Sequence, residues 1–96
     1  MIRHTVCFKL ENPTQELVEE TCTILRSMEG RVPTAKKIFV GADFLHSPRS
    51  YDIILQVDLE SREALDTYQN DPYHVDVVKA HMHKVAVSSI ALDCEL

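Results

Sequence analysis

Ile2-Arg3-His4-Thr5-Val6-Cys7-Phe8-Lys9-Leu10 is the stretch from which the fold can be read. Ile2, His4, Val6, Phe8 and Leu10 alternate with Arg3, Thr5, Cys7 and Lys9. Successive side chains of an extended chain point to opposite faces, so this is a strand with one apolar face, and that face carries a histidine. The same alternation returns in Tyr51, Ile53, Leu55 and Val57 against Asp52, Ile54, Gln56 and Asp58, a strand whose odd set should face helices. Ala35 to Asp43, with Ile38, Phe39 and Val40, reads as a further strand lying near a sheet edge, because Lys36 and Lys37 protect edges. Lys84 to Cys94, mostly Val, Ala, Ile and Leu, closes the chain as a fourth.

Two helical segments separate these strands. Asn12-Pro13-Thr14-Gln15 reads as a helix start with Asn12 as N-cap, Pro13 in the first turn and Gln15 closing a capping box. Leu17, Val18, Cys22, Ile24, Leu25 and Met28 then form the apolar face, and Gly30 offers a left-handed stop. Ser61 caps a second helix carrying Ala64, Leu65 and Tyr68, which Asn70-Asp71-Pro72 interrupts. A short helical piece from Tyr73 to about His83 presents Val75, Val78 and Met82 at helical spacing. The order β-α-β-β-α-β predicts a ferredoxin-like α+β protomer, a single domain over residues 1–96, with the third strand between the first two. Helices cover one sheet face only. The other, with Thr5, Cys7, Lys9, Ile54 and Gln56, needs a cover, and a face-to-face homodimer is the simplest one.

Composition narrows the function classes. A 96-residue chain with 45% hydrophobic and 26% charged residues is an ordinary globular domain. Its formal charge of −5 opposes a nucleic-acid partner, since phosphate backbones call for clustered Lys and Arg. No apolar segment approaches membrane-spanning length and no leader pattern opens the chain, so a cytoplasmic protein without a membrane partner is expected. Cys7, Cys22 and Cys94 are odd in number and widely spaced, and they read as small buried hydrophobes. The two glycines form no phosphate-binding loop, and no serine stands in a nucleophile elbow. His74 and His81 lie about 10 Å apart by helix rise, too far to share an ion, so no metal is expected.

Four motifs recur in order and at compatible spacing over nearly the whole chain. They are Ile2-Arg3-His4, Ser47-Pro48-Arg49-Ser50-Tyr51-Asp52, Ser61-Arg62-Glu63-Ala64-Leu65, and Tyr68-Gln69-Asn70-Asp71-Pro72-Tyr73-His74. In these the chain resembles the stress-responsive α/β-barrel (Dabb) family and, more distantly, its plant polyketide (olivetolic acid) cyclases. The resemblance implies a dimeric α/β barrel. From the cyclase branch it implies aldol chemistry without a cofactor, with Tyr68 and His74 as the acid–base pair and His4 lining the cavity. The chain departs from that branch in having three Phe, three Tyr and no Trp, and in offering Thr21, Cys22 and Leu25 on the first helix where the cyclases favour aromatics.

The residues themselves leave two readings open. An imidazole titrating near pH 6.5 can take a proton from a carbon next to a carbonyl and return it, with the Tyr68 hydroxyl donating to the enolate oxygen. The pocket would be lined by His4, Val6, Phe8 and Leu25 beside the Tyr68–His74 pair and would take a carbonyl-bearing or aromatic metabolite. Alternatively His74 and Tyr68 only pack, and the protein is a non-catalytic stress-response dimer acting through a protein partner. Arg49 reads as a solvated turn residue, and Phe44, Leu45 and His46 as dimer contacts.

Overall fold

Four antiparallel strands in the order β2-β3-β1-β4 form the sheet of the computed structural model, which describes residues 1–96. They are β1 (Ile2–Leu10), β2 (Lys37–Ala42), β3 (Ile53–Leu59) and β4 (Ala86–Glu95). The helices are α1 (Gln15–Arg26), α2 (Arg62–Gln69) and α3 (Ala80–Val85), the last preceded by a π-helical segment, His74–Lys79. This is the ferredoxin-like arrangement expected from the alternation. β3 lies between β1 and β2, and β2 is at an edge. No helix is long and apolar enough to cross a membrane.

Burial follows strand parity. Ile53, Leu55, Val57 and Leu59 of β3 are almost wholly buried, as are Ile2 and Leu10 of β1. They pack with Cys22, Leu25 and Met28 from α1 and the following turn, and with Tyr68, Val78 and Met82 from the other helical segments. The opposite sheet face is open. Register sets Cys7 beside Ile90 and Ile54, and Thr5 beside Leu92 and Gln56. Phe39, Ile90 and Leu92 on this face are 54%, 53% and 66% exposed. One charged pair stands among them: Asp58 accepts from Arg3 Nε at 2.8 Å and from Nη2 at 3.1 Å. That guanidinium holds the Asp58 carboxyl below its ordinary range.

Several boundaries differ from the sequence reading. Thr14, not Asn12, caps α1: its backbone is extended, and its hydroxyl accepts from the Leu17 N–H at 3.2 Å. Gln15 reaches forward to Glu19 instead of closing a box. α1 ends at Arg26, so Gly30, with φ of 78°, shapes the turn beyond the helix and does not stop it. Ser61 caps α2 as expected, accepting from the Ala64 N–H at 3.1 Å. β2 is shorter than expected, and β4 starts at Ala86 because the helix runs on through Val85. Of the cysteines only Cys22 is buried; Cys94 is exposed on the open face, opposite Arg3.

The segment after Pro72 departs most. Its buried residues are His74, Val78 and Met82, four apart, while Val75 is 40% exposed. In an α-helix a spacing of four drifts steadily around the axis. The wider i→i+5 turns from His74 to Lys79, followed by α-helical turns, compensate that drift and keep the three on one face. Asp71 starts the segment, its Oδ1 accepting from the Tyr73 and His74 N–H groups at 2.9 and 3.2 Å.

Candidate functional site

β4 carries small side chains on its helix-facing side, including Ala86, Ser89 and Ala91, where bulkier residues would have filled the space under the π-helical segment and α3. The result is a cavity of about 580 Å³ between sheet and helices, open at one side, within the range of small-molecule sites. β1 contributes His4, Val6 and Phe8, and β3 contributes Leu55. The helical wall holds Tyr68, Gln69, His74, Val78, Lys79, Met82 and His83.

Three aromatic rings are brought together there. Tyr68 and His74 stack with ring centroids 4.3 Å apart, and His4 meets Tyr68 edge-on at 5.9 Å. The His74 Nδ1 N–H donates to the Tyr68 carbonyl oxygen at 2.9 Å. A carbonyl only accepts, so the Nδ1 tautomer is fixed and Nε2 keeps the free lone pair. Burial pushes the His74 pKa below its ordinary value. The Tyr68 hydrogen bond opposes that shift, as does the Asp71 charge, while Lys79 and His4 reinforce it. His74 is therefore a neutral imidazole at neutral pH, with one nitrogen tied down and the other available.

The Tyr68 hydroxyl does not share this placement. It donates to the Met28 sulfur at 3.7 Å, on the core side, and the residue has no exposed surface. Burial raises its pKa well above the usual phenol range. Tyr68 borders the cavity while its O–H is engaged elsewhere. His4 is also organised: its Nδ1 lies 2.5 Å from Asp93 Oδ1 and donates to that carboxylate. Asp93 was absent from the sequence reading. It could have been found from register, because it lies directly across from His4 and is the only charged residue of β4 besides the terminal Glu95.

The remaining expected site residues divide. Val6 and Phe8 line the cavity with His4. Leu25 does not: it is fully buried in the core, as are Thr21 and Cys22 to within a few per cent, because α1 covers the β2–β3 part of the sheet, away from the cavity. His81, two helical turns from His74, is paired with Thr21, Nε2 to Oγ1 at 2.9 Å. Arg49 is an exposed turn residue beside a separate hollow of about 470 Å³ on the open face, with Phe44 at its rim. Lys79 and His83, which do line the cavity, were not singled out from sequence as site residues.

Comparison with known proteins fits this architecture. A dimeric ferredoxin-like protein of unknown function from Thermobifida fusca is 26% identical, superposes with a TM-score of 0.84, and the match covers 99% of this chain and 90% of that one. A Dabb family protein with a ferredoxin-like fold from Mesorhizobium loti is 20% identical, with a TM-score of 0.75 over 99% and 95% of the two chains. A hydroxynitrile lyase from Passiflora edulis is 14% identical, with a TM-score of 0.77 over 96% and 89%. At these last two identities the likeness is one of fold. No curated protein matches the chain in sequence. The model of the stress responsive A/B barrel domain matches residues 2–96, and the chain belongs to that family.

Proposed function

We propose that this protein is a homodimer whose cavity binds a carbonyl-bearing or aromatic metabolite, and that His74 moves a proton at a carbon next to the carbonyl without a cofactor. The observation that carries this reading is the fixed tautomer of His74: Nδ1 is held by the Tyr68 carbonyl, which leaves Nε2 as the basic atom at a cavity of about 580 Å³. Burial supports it by keeping the imidazole neutral and able to accept a proton. Tyr68 acts as a positioning residue through its carbonyl and ring, since its hydroxyl is engaged by Met28. His4, oriented by Asp93, is the second imidazole a bound carbonyl would meet. The homodimer is supported by the open apolar sheet face and by structural neighbours that are themselves described as dimeric.

The buried Tyr68 hydroxyl favours a second reading, in which tyrosine and histidine pack only and the dimer acts through a protein partner. Deuterium incorporation into 4-phenyl-2-butanone in D₂O, followed by NMR, separates the two. The proposed function predicts exchange above buffer that falls about 100-fold or more in His74→Ala with the fold retained, a size typical of a lost general base. Equal exchange by wild type, His74→Ala and buffer would favour the packing role.

A further inference from the structure

The charge of the cavity runs against that of the chain. Fifteen acidic residues give the protein a formal charge of −5, yet no Asp or Glu lines the cavity, whereas the cation Lys79 does, together with His83, the neutral His74 and the Asp93-bound His4. Asp93, the carboxylate bound to His4, lies outside the lining. Lys79 is the informative member. Its ammonium donates to the Gln69 carbonyl at 3.0 Å and forms no salt bridge, so a half-buried cation with unused donors stands beside an apolar hollow. An ammonium carries three N–H donors, and only one is engaged. His83, one α-helical turn further on, is exposed and offers an N–H in either tautomer. Opposite this basic wall lie Val6, Phe8 and Leu55, with no charge among them.

We infer that the cavity is built for a carboxylate on an apolar body, the acid group meeting Lys79 and His83 and the body lying against β1 and β3. This rests on the proposed ligand cavity and narrows its ligand class to acids. Placing an anion there satisfies the free ammonium donors with charge-assisted hydrogen bonds, which a neutral ligand of the same shape cannot do. It also gives the metabolite one orientation, since the acid end is held at the helical wall.

The test compares 4-propylbenzoate with 4-propylbenzamide, which match in shape and differ in charge, by titration calorimetry. The benzoate is expected to bind at least about 10-fold more tightly, and 0.5 M NaCl should weaken it and leave the benzamide unchanged. Lys79→Met should bring the two within about twofold, and Lys79→Arg should keep the benzoate preference, which separates charge from any loss of the Gln69 contact. Equal affinities in the wild type, or a preference that survives in a folded Lys79→Met, would overturn the acid assignment while leaving the cavity as a ligand site. Failure of both probes to bind would overturn the cavity reading as well.

Discussion

His74 has two properties that a single residue can report, a fixed tautomer and a depressed pKa. The depression has a consequence for stability. The unfolded imidazole titrates near 6.5 and the folded one lower, so acid favours the unfolded state. The stabilisation from keeping His74 neutral is present above about 6.5 and is lost as pH falls through the folded value. Thermal unfolding midpoints measured from pH 8 to pH 5 are expected to drop, and His74→Gln should flatten that slope. Tyr68 makes a different prediction. Because its hydroxyl reaches only the Met28 sulfur, a weak acceptor, Tyr68→Phe should keep the ketone exchange within about 10-fold, whereas loss of a true general acid costs on the order of 100-fold or more. The roles of these two residues could be anticipated only in part. Spacing placed tyrosine and histidine together around Pro72, but the direction of the hydroxyl depends on Met28, forty residues away. Lys79 and His83 line the cavity from a segment whose π-helical start the apolar spacing does not reveal.

At the scale of elements, alternation made the strands legible, because period-two burial is a direct imprint of a sheet with one covered face. Caps were legible at Ser61, which stands directly before its helix, and misread at Asn12, where the Thr14 hydroxyl two residues on takes the role. Thr14→Ala should cost about 1 kcal/mol in chemical denaturation, and Asn12→Ala should stay within about 0.5 kcal/mol, because only Thr14 satisfies a helix N–H. The π-helical segment could not be read, since a spacing of four among His74, Val78 and Met82 is close to that of an α-helix and the reading favoured Val75 instead. Removing one residue tests its purpose. Deleting the half-exposed Val77 would leave spacings of three and four, which an α-helix accommodates without a wide turn. The deletion variant is expected to stay folded by circular dichroism and to lose the preference for 4-propylbenzoate over 4-propylbenzamide, because Lys79 and His83 turn relative to the rest of the cavity.

At the scale of the whole molecule, the fold leaves one sheet face uncovered, and that face is both apolar and charged. Ile90, Leu92 and Phe39 supply exposed apolar surface, and Arg3 with Asp58 supplies a bidentate ion pair at one side. A face of this kind on a short chain calls for a second copy. Leu92→Lys is expected to convert the protein to monomers in analytical ultracentrifugation. A variant that remained dimeric would place the interface elsewhere. The cavity lies on the opposite side of the sheet, so Leu92→Lys also asks whether ligand binding depends on assembly. The open face was legible because strand parity names its residues. The cavity was not, because its volume comes from the absence of bulk at Ser89 and Ala91, and the register that brings those residues over β1 is a long-range property.

In the proposed function His74 stands neutral at the cavity, with its Nδ1 proton held by the Tyr68 carbonyl and Nε2 free to accept. Long-range ¹H–¹⁵N spectra of the histidine side chains, recorded from pH 8 to pH 4, test it most directly. The expected result is a His74 signal pattern of the Nδ1–H tautomer at neutral pH and a titration midpoint below 6.5. A His74 ring in the Nε2–H tautomer, or one with a midpoint above 6.5, would contradict it.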